Sequence, residues 1–160
     1  AFEDLVRQYS EPVTRLAYYH VRDRYLAEDV AQEVFCRVYR SLSGFRGESA
    51  VSTWIYRITV NVCRDTMASA DFRRMLPWRS VDFSAAEETR MFEEVEGGEV
   101  FCSVMELPQR YRTAISLYYF EDLGTPDIAQ TLGISEAGVR ARLSRGRAML
   151  KKSLEGTFRE

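Results

Sequence analysis

The chain has 160 residues and a formal net charge of −2, with 46% hydrophobic and 29% charged residues. This balance is typical of a globular protein in water and excludes collagen-like and disordered classes. No run reaches the roughly 18 apolar residues of a membrane span, and no signal segment opens the chain. We therefore expect no membrane insertion and a cytoplasmic location.

The cysteines and the single histidine restrict the possible chemistry. Cys36, Cys63 and Cys102 are odd in number and far apart, which excludes a disulfide framework and a CxxC pair, so we expect reduced thiols. His20 is the only histidine, which excludes a His-rich metal site. Neither a metal nor a cofactor is expected. Because no Gly-rich phosphate-binding loop is present either, an enzyme is the least favoured class.

Charge is distributed unevenly along the chain. Residues 1–74 carry 11 basic and 10 acidic side chains, whereas residues 75–106 carry 2 basic and 8 acidic ones. Residues 107–160 carry 9 basic and 6 acidic side chains. A nearly neutral first part, an acidic middle and a basic end indicate three functional segments.

Apolar residues in the first 70 positions recur with the spacing of α-helices. One stripe in the second predicted helix, between Leu26 and Val38, leaves a polar face on the opposite side. A third helix carries Trp54 inward, and Ser52 or Thr53 is its expected cap. Nothing indicates a strand, so the predicted fold class is all-α.

The helical pattern dissolves between Pro77 and Gly98, where acidic residues dominate. We predict two small helical domains, residues 1–75 and 100–156, joined by a flexible acidic linker at residues 76–99. Because this linker is polar and ends in glycines, we expect few contacts between the two domains in the free protein.

The segment Thr125–Leu150 has the pattern of a helix-turn-helix. Thr125 is the expected cap of its first helix, Gly133 supplies the turn, and Ser135 caps the second helix. Cations cover most of the second helix outside its apolar face, which favours nucleic-acid binding over a merely solvated helix. These cations are Arg140, Arg142, Arg145, Arg147, Lys151 and Lys152.

Two parts of the chain resemble bacterial sigma factors. The segments AEDVAQEVFCRVYR (Ala27–Arg40) and GFRGESAVSTWIYRITVNVCRD (Gly44–Asp65) are similar to conserved region 2, and Leu107–Lys152 is similar to region 4. With only a short linker between them, the chain resembles the extracytoplasmic-function (ECF) group of the sigma-70 family. This resemblance implies an alternative sigma factor, without catalysis of its own, that binds core RNA polymerase and promoter DNA. It also implies an anti-sigma factor as a partner.

The resemblance assigns roles to individual residues. The face that docks on the β′ clamp coiled coil of polymerase corresponds to Asp29, Gln32, Glu33, Phe35 and Arg40. The part that melts the minus-10 element and holds a flipped base corresponds to Phe45, Ser49, Arg57, Asn61 and Arg64. Trp54 is expected to pack in the core. The reader of the minus-35 element corresponds to Arg140, Ala141, Arg142, Ser144, Arg145 and Arg147.

Two other functions stay open at this point. A sigma-like decoy would bind an anti-sigma factor instead of DNA, but the cations of the second helix argue against it. A helix-turn-helix repressor would leave the Ala27–Arg40 segment unexplained.

Overall fold

The computed structural model describes residues 1–69 and 98–158, with side chains through residue 156. Within these ranges the chain forms seven α-helices and one short 3-10 turn, without a strand, which confirms the all-α prediction. The amino-terminal half (residues 1–69) contains α1 (Phe2–Val21), α2 (Arg24–Ser41), the turn Leu42–Gly44 and α3 (Val51–Ala68). The carboxy-terminal half (residues 98–158) contains α4 (Glu99–Met105), α5 (Gln109–Tyr119), α6 (Thr125–Leu132) and α7 (Glu136–Phe158).

The amino-terminal half is a bundle of α1, α2 and α3. Leu16, Val34 and Ile55, one from each helix, are at most 1% exposed and form its centre. Asp23 begins α2, because its carboxylate accepts a hydrogen bond of 2.8 Å from the backbone nitrogen of Leu26.

The predicted cap of α3 is wrong. This helix begins at Val51 after Ala50, and no side chain caps it. Thr53 lies inside the first turn with only 3% of its surface exposed, so its side chain packs in the core and does not cap the helix. The half-buried Trp54 packs against this core, as its place in the apolar stripe predicts.

The helix-turn-helix is formed by α6 and α7. Gly133 ends α6 with a φ of 69°, and the Ser135 hydroxyl accepts a 3.0 Å hydrogen bond from the backbone nitrogen of Gly138, so both predictions are confirmed. The predicted cap at Thr125 is wrong by one residue. Gly124 precedes the helix, and Thr125 is already helical. Pro126 within this first turn removes a backbone N–H that would otherwise lack a partner.

A close approach between α5 and α7 depends on Gly146. A methyl group at this position would lie 2.8 Å from Cγ1 of Ile115, a side chain that is itself only 1% exposed. Glycine therefore lets the long helix α7 lie directly against α5. The apolar periodicity does not reveal this requirement.

The two halves are in contact, so the expectation of few interdomain contacts is wrong for this structure. The guanidinium of Arg112 in α5 donates hydrogen bonds to the backbone oxygens of Tyr19 and, at 2.7 Å, His20, at the end of α1. Arg15 pairs with Glu121 through two hydrogen bonds of 2.7 and 3.0 Å, and the Tyr19 hydroxyl lies 3.1 Å from the same carboxylate.

A second set of hydrogen bonds joins α3 to the end of α6. Arg57 donates to the backbone oxygen of Gln130 and Arg64 to that of Leu132, each at 3.0 Å. We call these bonds, with those of Arg112 and Glu121, the interdomain contact. The predicted acidic linker lies outside the described residues except for Gly98 and Glu99, and Glu99 begins α4.

His20 lies within the interdomain contact and is 3% exposed. The amide nitrogen of Gln109 lies 2.9 Å from its Nδ1 atom, and the hydroxyl of Thr113 lies 3.3 Å from it. Burial, followed by the charges of Arg112 and Arg64, lowers the pKa of His20 to about 4. The imidazole is therefore neutral in the folded protein at neutral pH.

Replacing Gly146 by alanine is expected to destabilise the fold by up to about 2 kcal/mol, because the clash with Ile115 outweighs the gain in helix propensity. Urea unfolding measures the difference. The matched control is Gly156→Ala in the same helix, where nothing lies within 4 Å of the added methyl group. The control should be neutral or slightly stabilising, and an equally stabilising Gly146→Ala would contradict the packing argument.

Neutral His20 should make the stability of the protein depend on pH. The unfolded imidazole titrates near 6.5, so its contribution is complete above that pH and decreases as the pH falls towards 4. Thermal unfolding between about pH 7.5 and 5 should show a smaller decrease for His20→Gln than for the wild type. Parallel pH profiles of the two proteins would refute this role of His20.

Candidate nucleic-acid interface

The outward face of α7 carries the residues predicted to read the minus-35 element. Arg140, Ala141, Ser144 and Arg145 are exposed, whereas Arg142 is half-buried. The opposite face of the helix is anchored in the core through Val139 and Leu143, which are at most 2% exposed. The helix can therefore present this basic face to a groove of DNA without unpacking.

Tyrosine side chains of α5 form hydrogen bonds with arginine side chains of α7, a contact that the sequence pattern did not predict. Arg147 donates a 2.6 Å hydrogen bond to the hydroxyl of Tyr119, and its guanidinium lies 5.4 Å from the ring centre of Tyr118. Hydrogen bonds from Arg145 and Arg110 lower the pKa of Tyr111. Arg147 is thus fixed beside α5, away from the surface around Ser144.

A small pocket lies where the loop before α3 meets that helix. It measures about 400 Å³, and its walls include Phe45, Ser49, Trp54 and Arg57. The rings of Phe45 and Trp54 lie 4.6 Å apart at an angle of 31°. The pocket therefore combines aromatic rings with a guanidinium, which are the groups that bind an unstacked base. Trp54 takes part in it in addition to packing on the core.

Arg57, Asn61 and Arg64 share one face of α3, and all three are exposed. This face is directed towards α6, since Arg57 and Arg64 donate to backbone oxygens there. Gln130 of α6 also forms part of the pocket wall. The five predicted minus-10 residues therefore lie in the wall of the pocket or along the adjoining face of α3. The carboxyl end of α6 contacts the same surface.

The predicted polymerase-binding residues fall into two groups on α2. Gln32, Phe35 and Arg40 line an open groove of about 870 Å³ between α1 and α2. Phe2 and Tyr39 line the same groove, and their rings meet edge to face at 5.1 Å. We call this surface the α1–α2 groove.

Asp29 and Glu33 do not line the α1–α2 groove. Glu33 instead forms an ion pair of 3.2 Å with Arg37, which also pairs with Asp65 of α3 at 3.1 Å. Asp29 is exposed on the same helix. The groove and the Arg37 ion pairs therefore involve different members of the predicted set, whose role in polymerase binding stays a prediction.

Family comparisons cover both halves of the chain. The family model described as Sigma-70 region 2 matches residues 5–73, and that described as Sigma-70, region 4 matches residues 99–150. Together they span the three-helix bundle and the helix-turn-helix. The chain belongs to the ECF group of the sigma-70 family.

Relatives resemble this sigma factor over nearly their whole length. It is 33% identical to the RNA polymerase sigma-H factor of Pseudomonas aeruginosa, covering 100% of this chain and 89% of the relative. It is 31% identical to the ECF RNA polymerase sigma-E factor of Escherichia coli, covering 99% and 89%. Identity to the ECF factor SigW of Bacillus subtilis is 29%, covering 96% and 89%. The prediction of an alternative sigma factor is confirmed.

Two solved structures share the fold. CnrH in complex with the cytosolic domain of CnrY has a TM-score of 0.70 at 22% identity, covering 97% of this chain and 88% of that one. RpoE from Bartonella quintana in complex with the anti-sigma factor NepR has a TM-score of 0.68 at 17% identity, covering 96% of both chains. Among the described residues, no helix of this sigma factor is long and apolar enough to span a membrane.

The double variant Gln32→Ala, Arg40→Ala is expected to weaken binding to core polymerase by about tenfold or more, because it removes two polar side chains from the wall of the α1–α2 groove. A competition assay with labelled wild type measures the affinity, and circular dichroism checks the helicity. Arg7→Ala, at an exposed position of α1 outside the groove, is the control. Equal affinities for the two variants would exclude the groove as the docking site.

Proposed function

We propose that this sigma factor docks on core RNA polymerase through the α1–α2 groove and contacts promoter DNA through two separate surfaces. The supporting observation is that each half carries one surface of suitable chemistry. The amino-terminal half has the aromatic pocket with the α3 cations, and the carboxy-terminal half has the basic face of α7. A protein with both surfaces can bind two promoter elements that lie at a set distance from each other on the DNA.

The pocket beside Trp54 is suited to a melted strand. Its volume of about 400 Å³ and its paired rings fit one unstacked base, while Arg57 supplies a positive charge beside it. Asn61 and Arg64 continue along α3 and would follow the sugar-phosphate backbone. We assign the minus-10 element to this surface.

The basic face of α7 is suited to double-stranded DNA. Arg140 and Arg145 are five residues apart, about 140° around the helix, so they flank the exposed Ser144. A guanidinium in this position can read the O6 and N7 acceptors of guanine. Arg147, held by Tyr119, is better placed for a phosphate. We assign the minus-35 element to this face.

The α1–α2 groove is suited to a helical partner. An open apolar groove with Gln32 and Arg40 at its wall can accept the side of a coiled coil, such as the β′ clamp helices. Polymerase also explains how a protein with a pI near 5.6 reaches DNA, because the enzyme supplies most of the nonspecific affinity. We place this sigma factor in the cytoplasm with polymerase and assign no catalysis to it.

An anti-sigma factor is proposed as a further partner. Of the two similar structures, one holds the sigma factor RpoE with the anti-sigma factor NepR, and the other holds CnrH with the cytosolic domain of CnrY. We also propose the domain boundaries 1–75 and 100–156, with residues 76–99 as the linker. A decoy without DNA binding is disfavoured, because five predicted DNA-facing side chains of α7 are exposed.

Run-off transcription with core polymerase and a promoter library tests the proposed function, and Arg145→Ala tests its minus-35 part. Loss of one bidentate guanine contact, worth about 1–3 kcal/mol, should reduce transcription by roughly 5- to 150-fold from a promoter with an intact minus-35 element. Core binding should stay unchanged, because the α1–α2 groove lies in the other half.

Lys151→Ala is the matched control, because it removes one exposed cation from the same helix beyond the predicted reading residues. It should act mildly and equally on all promoters, and reduce the salt slope by about one unit if the ammonium contacts phosphate. A normal transcription level from Arg145→Ala, combined with loss of binding to a protein partner, would favour the decoy.

A further inference from the structure

We propose that the minus-10 surface has a second ligand, the carboxyl end of α6 in the same chain. In the free protein this contact occupies Arg57 and Arg64 and holds the two halves in a closed form that cannot engage the minus-10 element. The proposal rests on the assignment of the minus-10 element to α3. It adds a competitor for that surface and a way of regulating it.

The carboxyl end of α6 resembles a phosphate in its electrostatics. The last four carbonyls of a helix lack partners within the helix and carry a partial negative charge. Arg57 donates to the carbonyl of Gln130 and Arg64 to that of Leu132, each at 3.0 Å. Both guanidinium groups therefore already bind acceptors of the kind that a DNA backbone would offer.

The same helix end narrows the aromatic pocket. Gln130 contributes to the wall that also contains Phe45, Trp54 and Arg57. A single strand that placed a base in this pocket and its phosphates along α3 would meet α6 in the same space. Binding of the strand and the closed form therefore exclude each other.

A second part of the interdomain contact, formed by residues outside the proposed DNA surfaces, also holds the halves together. Arg112 of α5 donates to the carbonyls of Tyr19 and His20, the acceptors at the carboxyl end of α1. Nearby, the ion pair between Arg15 and Glu121 is well shielded, with side chains 29% and 9% exposed. The arrangement is reciprocal. Arg112 of the carboxy-terminal half donates to the end of α1, and Arg57 and Arg64 of the amino-terminal half donate to the end of α6.

Opening separates both polar and apolar groups. The carbonyls and guanidinium groups of the interdomain contact can be hydrated or can bind DNA once the halves separate, whereas the rings of Tyr19 and Phe120, whose centres lie 5.8 Å apart across the halves, lose their packing. Opening therefore costs free energy that a binding partner has to supply. A partner that binds the open form better, such as core polymerase, then shifts the population.

A charge exchange at Arg15 and Glu121 tests the contact without touching the proposed binding surfaces. Arg15→Glu should place two carboxylates together and open the protein, and Glu121→Arg should do the same with two cations. The double variant restores an ion pair and should close it again. Arg7→Glu, an exposed charge reversal on α1 outside the interdomain contact, is the control.

Small-angle X-ray scattering of the full chain gives the first readout. We expect a larger radius of gyration for both single variants, and wild-type values for the double variant and for Arg7→Glu, with circular dichroism unchanged in all of them. A single variant that keeps the wild-type radius would overturn the proposed contact. So would a double variant that stays open.

Run-off transcription at limiting polymerase gives the second readout. Both single variants should increase open-complex formation at least about fivefold over the wild type, and the double variant should return it to the wild-type level. Opening without any gain in initiation would overturn the inhibitory role. If the wild type gives no product from any promoter, the proposed function fails, while the scattering pattern still decides whether the interdomain contact exists.

Discussion

A single buried guanidinium joins the two halves of this sigma factor. Arg112 is 6% exposed, and its donors reach the backbone oxygens of Leu107 in its own half and of Tyr19 and His20 in the other. Burial, followed by the charge of Arg22, lowers the pKa of Arg112 to about 10, so the group stays charged at neutral pH. Each of these hydrogen bonds ends on a backbone oxygen, so carbonyl dipoles, including those at the end of α1, balance the charge. Those acceptors are available only while the halves stay together.

The sequence predicted the local structure within each half well. Hydrophobic periodicity placed the helices, and the turn at Gly133 and the cap at Ser135 were correct, because local backbone chemistry determines them. The predicted caps of α3 and α6 were wrong by one to three residues, because neither helix start uses a side-chain cap and the serine and threonine residues nearby were therefore misleading.

The contact between the halves could not be predicted in this way. Apart from the Glu121 carboxylate, its acceptors are main-chain oxygens, such as those of Gln130 and Leu132, which every sequence possesses and no periodicity marks. Gly146 was missed for a related reason, since its role depends on the position of Ile115 in another helix. For the candidate site, spacing placed Asp29, Gln32 and Glu33 on one face of α2 but could not show that Glu33 pairs with Arg37, which also pairs with Asp65 of α3.

Because most acceptors of the interdomain contact belong to the main chain, substitutions affect its donor residues and its acceptor residues differently. Replacing Gln130 or Leu132 leaves their carbonyls in place, whereas replacing Arg57 or Arg64 removes a donor outright. An exposed position such as Gln130 can therefore vary without loss of its acceptor, whereas Leu132, Tyr19 and His20, at most 3% exposed, are restrained by their packing. In a saturation mutagenesis of the chain, Gln130 would tolerate substitution while Arg57, which donates to its carbonyl, would not.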